Sequence, residues 1–140
     1  MPALRTLVFA LLAAAVASVN ACTFSVQTAT GDVCVDPCTT YSQVVWDRKG
    51  TPMCLTYTSG GTTKLCPSSN IAFLRDGTPL CVLTPNKSGL CPVSNIKYLA
   101  VAMSGMPAGY PLCIMTTDGS ALCPTSKIAY KSNGNPYCKT

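Results

Sequence analysis

The chain has 140 residues, including ten cysteines and no histidine, and its formal net charge is +5. Without histidine, the composition excludes Ser-His-Asp and Cys-His catalytic sets and HExxH zinc sites. Five aspartates are the only acidic residues and no Gly-rich phosphate-binding loop is present, so we expect a non-catalytic protein without a metal or cofactor.

Residues 1–21 have the pattern of a secretory signal peptide. Arg5 precedes an apolar run over 6–17, and short side chains follow at 19–21. The run is shorter than the roughly 20 apolar residues of a membrane span, so we expect no span. Removing these residues, with Arg5, leaves one domain over 22–140 with nine basic side chains against five Asp. The basic residues are dispersed, which argues against nucleic-acid binding.

A repeated unit organises the rest of the chain. Four times the phrase Gly-x-Pro-x-Cys recurs, ending at Cys54, Cys81, Cys113 and Cys138. The repeats extend over about 38–65, 66–90, 91–122 and 123–140. The third repeat contains seven extra residues within 99–108, "LAVAMSGMPA".

Each repeat has the character of a β-hairpin, because β-branched and aromatic residues alternate with polar ones between turn residues. The sequence predicts an all-β fold of disulfide-stapled antiparallel hairpins, either an elongated stack or a small barrel-like or propeller-like body. Asp76-Gly77 predicts a two-residue type I′ turn, which would place Phe73 opposite Leu80 and Ala72 opposite Cys81. One face would then be an apolar layer, and the disulfides would line the other.

The even cysteine count behind a signal peptide predicts five disulfides. Cysteines placed directly opposite each other across short hairpins give the favoured pairing. These pairs are Cys22–Cys34, Cys54–Cys66, Cys81–Cys91 and Cys113–Cys123, which leaves Cys38 and Cys138 to join the two ends of the repeat array. The leading alternative pairs Cys22–Cys34, Cys38–Cys54, Cys66–Cys81, Cys91–Cys113 and Cys123–Cys138.

An aromatic residue recurs at one position of the repeat, as Trp46, Phe73, Tyr98 and Tyr130. The type I′ register assigns these side chains to the apolar layer, where they would be core residues. The alternative is an exposed, regularly spaced platform that stacks on sugar rings. Aromatic residues off this position are expected to be exposed and to contribute to binding. These are Tyr41, Tyr57 and Tyr110.

Two further segments are candidate binding elements. The insertion carries Met103 and Met106 and would either contact a partner or cover the end of the apolar layer. Pro85 and Lys87 lie at a predicted hairpin tip, on either side of Asn86. Asn86-Lys87-Ser88 is a glycosylation sequon, which predicts a glycan on Asn86.

A signal peptide, dense cysteines and the absence of a catalytic set together resemble the small secreted cysteine-rich proteins of fungi and oomycetes, many of them effectors or elicitors. The resemblance covers the whole chain and lies in composition and processing. It implies an extracellular, apoplastic monomer, acting in virulence, that contacts a host extracellular protein or a cell-wall polysaccharide. The alternatives are a wall carbohydrate-binding module and a protease inhibitor presenting the loop from Pro85 to Lys87.

Overall fold

The computed structural model describes residues 21–140, which contain twelve short strands and four single turns of 3-10 helix. The strands are β1 (Ser25–Thr28), β2 (Gly31–Cys34), β3 (Val45–Trp46), β4 (Pro52–Met53), β5 (Thr56–Ser59), β6 (Thr62–Leu65), β7 (Ile71–Phe73), β8 (Pro79–Cys81), β9 (Ile96–Tyr98), β10 (Pro111–Cys113), β11 (Ile128–Tyr130) and β12 (Pro136–Cys138). The 3-10 turns are Tyr41–Gln43, Ser68–Asn70, Val93–Asn95 and Thr125–Lys127. The predicted signal peptide lies outside the described residues, except for Ala21.

The strands pair as six separate two-stranded antiparallel hairpins, each made of strands consecutive in the chain. The all-β prediction is therefore confirmed, and no barrel closes among the described strands. None of the helical turns in this part of the chain has the length and apolar character of a membrane span.

Four of the hairpins follow a 3-10 turn and are closed by a disulfide: β3–β4, β7–β8, β9–β10 and β11–β12. We call each of these, together with its 3-10 turn, a disulfide-closed hairpin. The second strand always begins with a proline, which lies opposite the aromatic residue that ends the first strand. Proline is tolerated there because it is the first residue of a two-stranded ribbon and no ladder hydrogen bond is lost. Linking hairpins, such as β5–β6, connect one disulfide-closed hairpin to the next.

The turn at Asp76-Gly77 differs from its prediction by one residue. Backbone hydrogen bonds join Leu74 N to Thr78 O at 2.8 Å and Gly77 N to Leu74 O at 2.9 Å. The loop therefore has three residues, with Gly77 in the left-handed region at φ 88°, and the Asp76 side chain accepts a hydrogen bond from Thr78 N at 2.9 Å. This is a type I turn followed by a glycine bulge.

The longer loop changes which side chains face each other. Phe73 pairs with Pro79, not with Leu80, and Ile71 rather than Ala72 pairs with Cys81. A one-residue slip moves a strand's side chains to the opposite face. The predicted register was therefore wrong, and the predicted apolar layer was wrong with it.

The disulfide pairing follows the alternative and not the favoured scheme, of which only Cys22–Cys34 is correct. The bridges are Cys22–Cys34, Cys38–Cys54, Cys66–Cys81, Cys91–Cys113 and Cys123–Cys138, with Cα separations of 5.7 to 6.0 Å. These separations lie in the ordinary range for disulfides. Apart from the first, each bridge joins a cysteine that lies two or three residues before a 3-10 turn to the cysteine at the end of the hairpin that follows that turn.

The 3-10 turn explains why the favoured pairing was wrong. Cys66 continues the linking hairpin, where its N–H bonds to Leu55 O at 2.9 Å. The turn Ser68–Asn70 then redirects the chain, so that Ile71 is the residue paired with Cys81. Because a 3-10 turn advances only about 2 Å per residue, Cys66 stays within bridging distance of Cys81, at a Cα separation of 6.0 Å.

The core is built around the disulfides rather than opposite them. Cys38 and Cys91 have no exposed surface and Cys123 is 1% exposed. One cluster surrounds Cys91 and Cys113 and contains Ala72, Val82 and Ile96; another surrounds Cys38 and contains Val26 and Val35. Small domains with limited apolar burial depend on such covalent links for stability.

Successive repeats are joined by two recurring contacts, one between turns and one in the interior. At the turns, a glycine of one repeat packs against the equivalent turn of the preceding repeat: Gly77 against Arg48, Gly109 against Arg75 and Gly134 against Ala100. In the interior, Asn70 Nδ2 donates to Cys91 O at 2.6 Å and Asn95 Nδ2 donates to Cys123 O at 2.6 Å. Each repeat is thereby connected to the next one along the chain.

Candidate functional site

The insertion in the third repeat forms a small hairpin of its own. Met103 and Met106 exchange two backbone hydrogen bonds of 2.9 Å. The two residues between them, Ser104 and Gly105, have φ of 49° and 78°, as a type I′ turn requires. The base of the hairpin is anchored by Asn135, which is 3% exposed and accepts 3.0 Å hydrogen bonds from two backbone N–H groups. Met103 is 39% exposed, so the insertion is not a buried lid.

The insertion forms one wall of a groove that we call the insertion groove, with a volume of about 590 Å³. The groove is also lined by the tip of the linking hairpin that contains the sequon and by residues of β8 and β10. Five of the seven candidate binding residues line it: Met103, Met106, Tyr110, Pro85 and Lys87. The sequence placed these residues in separate repeats, and the fold brings them together.

The walls of the insertion groove are mainly apolar, and Lys87 is its one ionisable side chain besides the Tyr110 phenol. Every buried side-chain polar atom in the described residues already has a hydrogen-bond partner. The groove therefore offers a ligand apolar contacts and one positive charge. Among the described residues it contains no buried polar side-chain atom without a hydrogen-bond partner. Methionine side chains suit such a surface because they are flexible and polarisable.

Lys87 has a backbone conformation that is uncommon for its residue type, with φ of 56°. The turn is closed by the hydrogen bond from Lys87 N to Thr84 O at 2.7 Å. In the next linking hairpin the equivalent position is Gly119, with φ of 71°. A non-glycine residue there costs on the order of 1 kcal/mol, and such local strain is concentrated at functional sites.

Asn86 is exposed at the tip of the same hairpin. Its side-chain Oδ1 accepts hydrogen bonds from Thr84 Oγ1 at 2.7 Å, from Ser88 Oγ at 2.7 Å and from Ser88 N at 3.1 Å. The sequon is therefore at an accessible tip beside the insertion groove, and glycosylation of Asn86 stays a prediction.

Asp118 has the same role in the next linking hairpin. Its carboxylate accepts hydrogen bonds from Thr116 Oγ1 at 2.6 Å and from the Ser120 hydroxyl at 2.9 Å. The Ser120 N–H also donates to it, at 3.2 Å. These bonds, that from Thr116 above all, lower the pKa of Asp118 to about 2. The predicted turn role of this aspartate is consistent with its hydrogen bonds.

The remaining two candidate binding residues lie apart from the insertion groove. Tyr41 is 67% exposed on the first 3-10 turn, and its ring packs edge-on against Phe24 with centroids 5.3 Å apart. Tyr57 lies on β5 opposite Lys64 and is half-buried. The structure thus does not gather all the off-position tyrosines into one site.

The repeated aromatic residues are exposed, so their assignment to the core was wrong. Their exposed fractions are 43% for Trp46, 46% for Phe73, 48% for Tyr98 and 58% for Tyr130. In the observed register each ring ends its strand next to the turn and lies opposite a proline, instead of opposite the apolar residue that the predicted register gave it. We call these four residues the aromatic row. Their fixed position in the repeat was the signal that could have identified them as a surface.

One cluster has atoms of the types that bind metal ions: the Sγ atoms of Cys22 and Cys34 and a carboxylate oxygen of Asp36 lie within 4.8 Å of one another. The two sulfur atoms are bonded to each other. The Asp36 carboxylate accepts hydrogen bonds of 2.7 to 2.9 Å from Thr23 N, Thr23 Oγ1 and Phe24 N, which lower its pKa. This arrangement ties the N-terminal segment to the residues after β2, and it is explained by that role.

The geometry defines two surfaces, the insertion groove and the aromatic row, on a scaffold with five disulfides, which are typical of extracellular proteins. Comparison of the chain with protein-family models, with curated proteins and with solved structures finds no match in any of the three.

Proposed function

We propose that this chain is a secreted, non-catalytic binding protein that acts as an effector or elicitor outside host cells. The insertion groove is its contact site, and an apolar segment of a host extracellular protein is its ligand. The observation that carries this proposal is the convergence of Met103, Met106, Tyr110, Pro85 and Lys87 on one groove. Five disulfides agree with action in an oxidising, extracellular environment.

The groove's chemistry indicates what kind of segment it would hold. Apolar side chains would be buried against Met103, Met106 and Tyr110, while Lys87 at the hairpin tip would pair with an acidic group beside them. The Met103–Met106 turn and the Pro85–Lys87 tip are both held by backbone hydrogen bonds. A prearranged site of this kind loses less conformational entropy on binding than a flexible loop does.

The test compares the oxidised wild-type protein with the double variant Met103→Ser, Met106→Ser. Both are immobilised, exposed to host apoplastic extract, and infiltrated into host tissue to measure the response. We expect the variant to lose both the captured protein and the response. Val93→Ser is the matched control, because Val93 is an apolar side chain that is 63% exposed and outside the groove. An undiminished response in the double variant, with its disulfides intact, would contradict the proposal.

A further inference from the structure

The geometry points to a second binding surface, independent of the insertion groove, and we propose that the aromatic row binds a linear acidic polysaccharide such as a polyuronate. The row consists of Trp46, Phe73, Tyr98 and Tyr130, one ring from each repeat. It stays exposed although large aromatic side chains are strongly favoured in cores and interfaces.

All four rings occupy the same place in their hairpins. Each ends the first strand of a disulfide-closed hairpin, opposite a proline: Pro52, Pro79, Pro111 and Pro136. The turns beside Phe73, Tyr98 and Tyr130 each pack on the turn of the preceding repeat. The rings therefore recur in repeat order along one edge of the array, which matches a ligand that is itself a repeating chain.

The first two rings already share a cleft. Trp46 and Phe73 line the same cavity, of about 380 Å³, together with Ile71 and the polar side chains Ser42 and Gln43. A sugar ring has apolar C–H faces and a rim of hydroxyl groups. Aromatic faces with hydroxyl and amide groups beside them match both parts, since binding sites combine apolar walls with a few polar groups that fix orientation.

The turns next to the row carry an excess of positive charge. Arg48, Lys49, Arg75 and Lys131 are exposed there. The acidic side chains in these turns are Asp47 and Asp76, and both are engaged locally. Asp47 Oδ1 accepts hydrogen bonds from Lys49 N and Thr51 N at 2.8 Å, and Asp76 Oδ1 accepts one from Thr78 N at 2.9 Å.

Position strengthens this charge argument. Arg48 and Arg75 come two residues after Trp46 and Phe73, in the turns that follow the strands on which the two rings lie. Arg48 and Arg75 pack against the turn glycines of the following repeats, Gly77 and Gly109, so a basic residue lies at each of the first two junctions between repeats. Charge complementarity therefore favours an anionic chain over a neutral glucan.

The ligand test uses the full oxidised protein with sodium oligogalacturonates of two and of eight residues, and a neutral β-1,4-glucan oligosaccharide as control, by calorimetric titration. We expect binding of the octamer, weaker binding of the dimer because fewer rings are engaged, and weaker binding of the octamer at high salt. Equal affinity for the neutral oligosaccharide, or no affinity for the octamer, would overturn the proposal.

The variant test locates the site. Phe73→Ala with Tyr98→Ala should weaken octamer binding by about tenfold or more. Tyr137→Ala is the matched control, an exposed tyrosine on β12 outside the row. Arg48→Gln with Arg75→Gln should weaken binding and reduce its salt dependence, whereas Lys64→Gln on β6 should change neither. Unchanged binding in the ring variants, with native disulfides by peptide mapping, would overturn the assignment.

A further variant separates this surface from the proposed effector site. Met103→Ser with Met106→Ser should leave octamer binding unchanged, because neither methionine lies in the aromatic row. Loss of octamer binding in that variant would place the sugar in the insertion groove and contradict the present inference. The groove proposal is judged by protein capture and tissue response, so either can fail while the other stands.

Discussion

A Cβ atom placed on Gly77 would lie 2.5 Å from the Cβ of Arg48, a residue of the preceding repeat. The two turns are therefore packed backbone against side chain, with no room for a methyl group between them. Hydrogen bonds from Thr78 lower the pKa of Asp76, and the charge of Arg48 lowers it further. Contacts of this kind make the array a stack in which each repeat depends mainly on its neighbours.

Replacing the turn glycines tests the stack. Gly77→Ala should lower the free energy of unfolding more than Gly50→Ala does, measured by denaturant titration with the disulfides intact. Both glycines have positive φ, 88° and 79°, but no atom lies within 4 Å of a Cβ on Gly50. Gly50→Ala should therefore cost only the conformational term, about 1 kcal/mol. Gly77→Ala should add about 1 to 3 kcal/mol from overpacking.

A compensating change at the last turn makes this prediction sharper. A Cβ on Gly134 would lie 2.7 Å from the Cβ of Ala100. Combining Ala100→Gly with Gly134→Ala removes the clash and leaves the φ cost of Gly134→Ala in place. The double variant should therefore recover part of the stability that Gly134→Ala loses. Strict additivity of the two changes would show that these turns are not in contact.

The buried asparagines should stabilise the junctions between repeats. Asn70→Ala would leave Cys91 O, buried in the core, without its 2.6 Å hydrogen bond, and Asn95→Ala would do the same to Cys123 O. We expect each to lower the free energy of unfolding by about 1 to 3 kcal/mol, because a buried carbonyl is left unpaired.

The last repeat provides a natural control for the asparagine variants. Lys127 occupies the equivalent position, as the last residue of the final 3-10 turn, and is exposed. Lys127→Ala should change the free energy of unfolding by less than about 0.5 kcal/mol. A similar loss at all three positions would mean that the effect arises from the 3-10 turn and not from the bond to the next repeat.

The disulfide pattern can be checked chemically. Proteolysis without reduction should release peptides joining Cys66 to Cys81 and Cys91 to Cys113, whereas a Cys54–Cys66 or Cys81–Cys91 peptide would refute the structure's pairing. Replacing Cys91 and Cys113 together by Ser should lower the free energy of unfolding by about 3 kcal/mol, since their loop spans 22 residues.

The Asp118 hairpin should respond to acid. Its pKa is lowered from 3.8 to about 2, so its hydrogen bonds contribute stability that is fully present above pH 3.8 and is lost as the pH falls through about 2. The side-chain carbon resonance of Asp118 should titrate with a midpoint near pH 2. Asp118→Asn should retain the turn, as Asn86 shows in the equivalent hairpin, and should weaken the dependence of stability on pH in this window. A midpoint near 3.8 would contradict the hydrogen-bonded carboxylate.

The sequence predicted the local chemistry of this chain well. The repeated Gly-x-Pro-x-Cys unit, the alternation of apolar and polar residues and the turn residues between them indicated disulfide-stapled antiparallel hairpins. Gly77 and Gly134 were correctly assigned to turns. The off-repeat residues Met103 and Met106 were identified as a candidate contact because they interrupt the pattern. Their proximity to Pro85 and Lys87 could not be read from the chain, because it arises from the stacking of one repeat on the next.

Register and pairing depended on small geometric differences. Asp76-Gly77 is compatible with either a two-residue or a three-residue loop, and the backbone pair between Leu74 and Thr78 selects the latter. That choice places Phe73 opposite Pro79, and its ring is 46% exposed. Likewise, a single 3-10 turn at Ser68–Asn70 brings Cys66 beside Cys81. Local sequence specified which segments form hairpins and that the cysteines form disulfides. The loop lengths and the 3-10 turns of the folded chain decided the register and the cysteine pairing, because a one-residue shift costs little locally but changes every facing pair of side chains.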